Sequence, residues 1–111
     1  MRYLLLLAGD EPAEAALPEA ELQRILTEHG TFADRLRSDN AYVFGAALDR
    51  SSNATTVAGG VLTDGPFAEG REQIGGFYVI DAPDLDKALE YAGQMPASPG
   101  LRIEIRPVRT M

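Results

Sequence analysis

The sequence predicts a single α+β domain on the ferredoxin-like split βαβ plan, enlarged by an inserted hairpin. Three observations predict it. Apolar runs of strand length open and close the chain, at Arg2 to Ala8 and Leu101 to Arg106, and two more lie inside, at Tyr42 to Leu48 and Ile74 to Asp81. Apolar residues at helical spacing fill the stretches after the first and third of these runs. Between the second and third runs, Thr55-Thr56-Val57 and Val61-Leu62 flank Gly59-Gly60, which reads as a small hairpin. The order strand, helix, strand, hairpin, strand, helix, strand places both helices on one face of one sheet.

Size and charge narrow the possibilities. A chain of 111 residues is one domain, read here as 1–111, and it needs no metal or disulfide staple to build a core. The absence of cysteine removes thiolate nucleophiles and cysteine zinc sites, and fits a reducing cytoplasm. A net charge of -7, from 17 acidic and 10 basic side chains, repels a phosphate backbone and argues against a nucleic-acid partner. Leu4 to Ala8 is too short for a signal-peptide core or a membrane span. The expectation is a soluble cytoplasmic protein with neither nucleic acid nor membrane as partner.

Each element has its own signature. Arg2 to Ala8 (RYLLLLA) is continuously apolar, as in a strand covered on both faces. Glu11 to Pro18 reads as a polar, alanine-rich connection. The first helix is expected from about Glu19 to Arg37, with Pro18 near its first turn and Glu19 and Glu21 at the positive end of its dipole. Leu22, Ile25, Leu26, His29, Phe32, Ala33 and Leu36 form its apolar stripe, and His29, the only histidine, sits within it. Asn40 is suited to a left-handed C-terminal cap. Asp49 to Asn53 reads as a polar loop before the hairpin, and Asp64-Gly65-Pro66-Phe67 as a turn after it. Pro83, Asp84 and Asp86 start a second helix with a stripe of Leu85, Ala88, Leu89, Ala92 and Met95, ended by Pro96 and Pro99-Gly100. The last strand alternates, Leu101, Ile103 and Ile105 against Arg102, Glu104 and Arg106. With both helices on one face, the other face of the sheet stays too apolar for a monomer, so a homodimer packing sheet against sheet is expected.

The run TDGPFAE followed by EQIGGFY, together with the RYLLLL strand, Leu85-Asp86-Lys87-Ala88-Leu89-Glu90 and Glu104-Ile105-Arg106-Pro107-Val108, resembles the DGPF-motif branch of the YCII-related family over nearly the whole chain. The resemblance implies a dimeric α+β barrel. It also implies a histidine on the first helix working with an aspartate just before a proline near the end of the second. His29 occupies the matching place for the histidine, but Met95 stands before Pro96, so the aspartate does not carry over. The hairpin is shorter than is usual in the family, and Asn40 stands where a glycine is usual.

Two readings stand side by side for each site residue. His29 is either a core histidine that hydrogen-bonds one nitrogen or a proton shuttle; buried without an acid it stays neutral, which suits a general base. Asp64 either closes its own turn through the Phe67 N–H, since Pro66 has none, or serves as the acid partner if the fold brings it beside His29. Phe67 is expected to anchor the loop in the core or, as a site residue, to help bind a ligand. Glu72, with Glu69 and Arg71, either orients a polar ligand or is simply solvated. Arg106, in a row with Arg102 and Glu104, either lines an enclosed barrel and binds a ligand or belongs to a self-neutralising ion-pair set. Tyr3, Tyr42, Tyr78 and Tyr91 offer hydroxyls but form no motif. No phosphate-binding glycine loop and no metal-ligand cluster is legible, so no cofactor is expected.

Two functions compete on this reading. The first is a small-molecule enzyme using acid-base chemistry, isomerase, lyase or dehalogenase-like, with His29 and Asp64 as its catalytic pair. The second is a non-catalytic ligand-binding or regulatory partner protein, which the resemblance links to extracytoplasmic-function sigma factors.

Overall fold

The computed structural model describes residues 1–110. Among the described residues six strands and three α-helices follow one another as β1 (Arg2–Asp10), α1 (Glu11–Ala15), α2 (Glu19–Ser38), β2 (Tyr42–Ala47), β3 (Thr55–Ala58), β4 (Val61–Asp64), β5 (Glu72–Asp81), α3 (Leu85–Ala92) and β6 (Arg102–Pro107), with a 3₁₀ turn at Ser51–Asn53 between β2 and β3. Four strands make one antiparallel sheet in the order β2-β5-β1-β6, the arrangement of a ferredoxin-like fold. β3 and β4 pair only with each other.

Register assigns the faces. Tyr3, Leu5 and Leu7 of β1 stand beside Ile80, Tyr78 and Gly76 of β5 on one side, and beside Pro107, Ile105 and Ile103 of β6 on the other. On that face Tyr3, Leu5 and Ile80 join Phe32 and Leu36 of α2 and Ala88 and Tyr91 of α3 in one buried cluster. Both helices therefore cover the same face, as the element order predicts. The opposite face carries Leu4, Leu6, Phe44, Phe77 and Val79 with the Arg102, Glu104 and Arg106 row, and among the described residues of the single chain no element covers it. Phe44 is 56 % exposed there and leans against Phe77, ring centroids 5.9 Å apart.

Local chemistry sets the ends of the helices. Asp84 caps α3 by accepting the Lys87 N–H at 2.9 Å. Asn40 has φ 56° after α2, and the Ala41 and Asn40 N–H groups return to the Leu36 and Arg37 carbonyls in a Schellman motif. α1 departs from expectation: a connection was predicted, but Asp10 accepts the Ala13 N–H at 3.0 Å and nucleates a short helix with Pro12 in its first turn.

The stripe of α3 is also rotated from the prediction. Leu85 and Leu89 are 49 % and 51 % exposed, while Ala88 and Tyr91 are buried. Tyr91 wins the inward position because its ring fills the core while its hydroxyl reaches the Asp39 carboxylate at 2.9 Å, so the hydrogen bond survives burial.

The hairpin β3–β4 projects from the body, and the Cα radius of gyration of 15.2 Å exceeds the roughly 13 Å of a compact 100-residue domain. Its roots are held by Glu11, whose carboxylate accepts from the Ser51 N–H and hydroxyl and whose own N–H donates to the Arg71 carbonyl at 2.9 Å. Phe67, predicted to anchor the loop in the core, is 90 % exposed instead. Gly65 explains the difference: with φ 102° it bonds Ala54 and Thr56, holding the turn on the hairpin and away from the sheet. No cis peptide bond occurs among the described residues, so Gly65-Pro66 is trans.

Candidate active site

A cleft of about 340 Å³ opens between the middle of α2 and the sheet. It exists because the facing positions are small. Gly30 and Ala33 line it from the helix, and Gly45, Ala47 and Gly76 line it from the strands, where larger side chains would pack it shut. The predicted α2 stripe divides accordingly: Ile25, Phe32 and Leu36 are buried, His29 and Ala33 are half-buried over the cleft, and Leu26 is 60 % exposed at its mouth.

His29 and Tyr78 meet in this cleft. The His29 Nδ1 lies 2.8 Å from the Tyr78 hydroxyl, and the two rings stack with centroids 6.0 Å apart and planes 15° from parallel. Phe32 packs edge-on against Tyr78 at 5.1 Å, fixing the ring from the core side. Gly45 makes room on the sheet: a β-carbon there would lie 2.7 Å from a Tyr78 ring carbon.

Burial sets the protonation of the pair. It pushes the His29 imidazole below its ordinary range, with nearby Glu28 acting weakly the other way. Burial, aided by Tyr42 and opposed by Arg37, pushes the Tyr78 hydroxyl up. Both groups are neutral near pH 7. With its proton on Nδ1, His29 donates to the Tyr78 oxygen and keeps a lone pair on Nε2 for a base; with its proton on Nε2, it accepts from Tyr78 and can donate from Nε2.

The other predicted site residues lie outside this cleft in the single chain. Asp64 is exposed at the end of β4, opposite Thr55, and β4 pairs only with β3. Glu72 is exposed and pairs with Arg102 at 3.5 Å. Arg106 pairs with Glu104 on the uncovered face of the sheet. Phe67 stands in solvent on the motif loop, which Gln73 ties down through the Ala68 and Gly70 carbonyls. Among the described residues no three His, Cys, Asp or Glu side chains converge as metal ligands, and no helix is long and apolar enough to cross a membrane.

Sequence reasoning missed Tyr78. One signal pointed to it: with Gly76 and Ile80 on the covered face of β5, alternation puts Tyr78 on that face too, toward the helix that carries His29.

A half-buried, uncharged imidazole paired with a phenol in an open-mouthed cleft defines the class of protein as a small α+β domain with a ligand-sized hollow beneath its long helix. The chain belongs to the YCII-related family, whose domain matches residues 1–111. An uncharacterized protein of Rhizobium meliloti (strain 1021) is similar to it, 32 % identical over 114 residues that span 97 % of this chain and 92 % of that protein.

Proposed function

We propose that this YCII-related protein is a small-molecule enzyme that moves protons within the cleft, of the isomerase or lyase kind, with His29 as the base and Tyr78 as its partner. The observation that carries this reading is the 2.8 Å contact between His29 Nδ1 and the Tyr78 hydroxyl inside a cleft of about 340 Å³. Such a volume lies at the lower end of the roughly 300–1,000 Å³ of small-molecule sites. Tyr78 takes the orienting role that a carboxylate would otherwise fill. A phenol fixes the imidazole without stabilising its protonated form as strongly, so the base stays weak and suits a substrate whose proton is already activated by a neighbouring carbonyl.

The same reading places the chain in the DGPF branch, as a cytoplasmic homodimer whose uncovered sheet faces meet in a barrel. The apolar row of Leu4, Leu6, Phe44, Phe77 and Val79 supports that assembly. Asp64, Phe67, Glu72 and Arg106 then act toward the second copy, from the hairpin, the turn after it, the start of β5 and the sheet face. The exposed Val57, Leu62 and Phe67 of the hairpin favour a second reading, a regulatory partner protein without chemistry.

The test is an NMR titration of the single histidine with and without a library of small carbonyl compounds. Movement of the His29 ring resonances by one of them, with deuterium exchange at its activated carbon that His29→Ala abolishes, supports the enzyme. Binding without exchange overturns it in favour of the second reading.

A further inference from the structure

Glu14 closes the far end of the cleft. α1 carries it there: Asp10 caps the helix, Glu11 turns to Ser51, and Glu14 faces Gly9, its Oε2 3.8 Å from where a β-carbon on Gly9 would sit. Asp10 is held by Ala13 and Arg71, and Glu11 by Ser51. Among the described residues no donor meets the half-buried Glu14 side chain.

The charge around this carboxylate is one-sided. Among the described residues that line the cleft there is no lysine and no arginine, and its lining includes the apolar side chains of Leu7 and Ile25 and the backbone of Gly9, Gly75 and Gly76. A smaller hollow that shares Glu14 adds Glu11, Asp49 and Arg50, in which Arg50 offsets one carboxylate. At the opposite end Arg37 lies 4.3 Å over the Tyr42 ring and bonds Asp34 at 3.1 Å, which commits that cation outside the cleft. The chain as a whole carries -7, which draws cations to it and repels anions.

We propose that the cleft selects a small molecule with an apolar body and a protonated amine, the amine seated at Glu14 and the body extending toward His29, and rejects carboxylates and phosphates of the same size. This rests on the reading of the cleft as a ligand site. A ligand anion in the cleft would be taken from water to meet Glu14 with no cation in the cleft lining to offset it. An ammonium meets a carboxylate already part-way out of water and free of other partners.

Three probes that share one body separate the outcomes: 2-phenylethylamine, 2-phenylethanol and 3-phenylpropionate, titrated into the full-length protein while the His29 ring and the Gly30, Gly45 and Gly76 amides are followed by NMR. The amine is expected to bind at least about tenfold more tightly than the other two, a difference of about 1.4 kcal/mol. Glu14→Gln should erase that advantage, while Glu14→Asp should keep the ranking. The proposal is overturned if the propionate binds as well as the amine, or if the advantage survives in Glu14→Gln. If the alcohol equals the amine, the selection for amines falls and the cleft stands as a ligand site; if none of the three moves the His29 resonances at millimolar concentration, both fall.

Discussion

The His29 Nδ1 and the Tyr78 hydroxyl, forty-nine positions apart in the chain, stand 2.8 Å from each other and join the middle of α2 to an inner strand of the sheet. Both side chains are half-buried, and each is the other's hydrogen-bond partner. Three expectations follow from this pair and its surroundings, and a fourth from the opposite face of the sheet.

Tyr78→Phe keeps the ring between His29 and Phe32 and removes only the hydroxyl. It should cost about 1 kcal/mol in a urea titration, the ordinary net worth of one hydrogen bond. The sharper readout is the tautomer of His29 from its ring nitrogen shifts: loss of the phenol should change the ratio. An unchanged ratio would mean that the two groups do not interact in solution.

The burial of His29 has a pH signature. Its folded value lies below its unfolded value of about 6.5, so the unfolded chain binds the proton more readily. Stability from this group is therefore whole above about pH 6.5 and is lost as pH falls through the folded value. Comparing urea midpoints at pH 7.5 and pH 5.5 for the natural chain and for His29→Gln isolates it, because the carboxylates are common to both. The natural chain should lose more on acidification; equal losses would place His29 in water.

Gly45 and Gly30 should respond oppositely to alanine. At Gly45 the new carbon meets the Tyr78 ring at 2.7 Å, so Gly45→Ala should destabilise by about 1–3 kcal/mol and break the contact with His29. A β-carbon on Gly30 would meet no described atom within 4 Å beyond its chain neighbours and its own helix backbone, so Gly30→Ala should stabilise α2 by about 0.5–1 kcal/mol through helix propensity. The same change narrows the cleft, and ligand affinity should fall as stability rises.

Phe44 tests the sheet face. Phe44→Asp places a charge on a side chain that is 56 % exposed in the single chain. If a second copy covers that face, light scattering should show the mass falling from dimer to monomer. A natural chain that is already monomeric at micromolar concentration would remove the barrel from the proposed function.

The sequence made the architecture legible because its signals are local. Alternation marks β6, continuous apolarity marks β1, and an aspartate before Leu85 marks the start of α3, each read without knowing any neighbour. α1 escaped because five residues are too few for a period, and its cap is an aspartate that also ends a strand. The pairing of His29 with Tyr78 escaped for another reason: it depends on the register that sets Gly45 beside Tyr78, and register belongs to two strands at once. Phe67 shows the same limit in reverse. A large aromatic beside a turn suggests burial, but where the turn points is decided by the bonds of Gly65 to the hairpin.

The buried cluster of Tyr3, Leu5, Phe32, Leu36 and Ile80 occupies one end of the covered face, and the cleft with its floor of Gly45, Ala47 and Gly76 occupies the other. Tyr78 is the border between them. A methyl or two added at Ala33 or Ala47 would reshape the cleft while leaving the cluster intact, so foldability and the shape of the cleft can drift independently in this chain. Related sequences that share its core need not share its chemistry, and the residues to compare among them are the small ones.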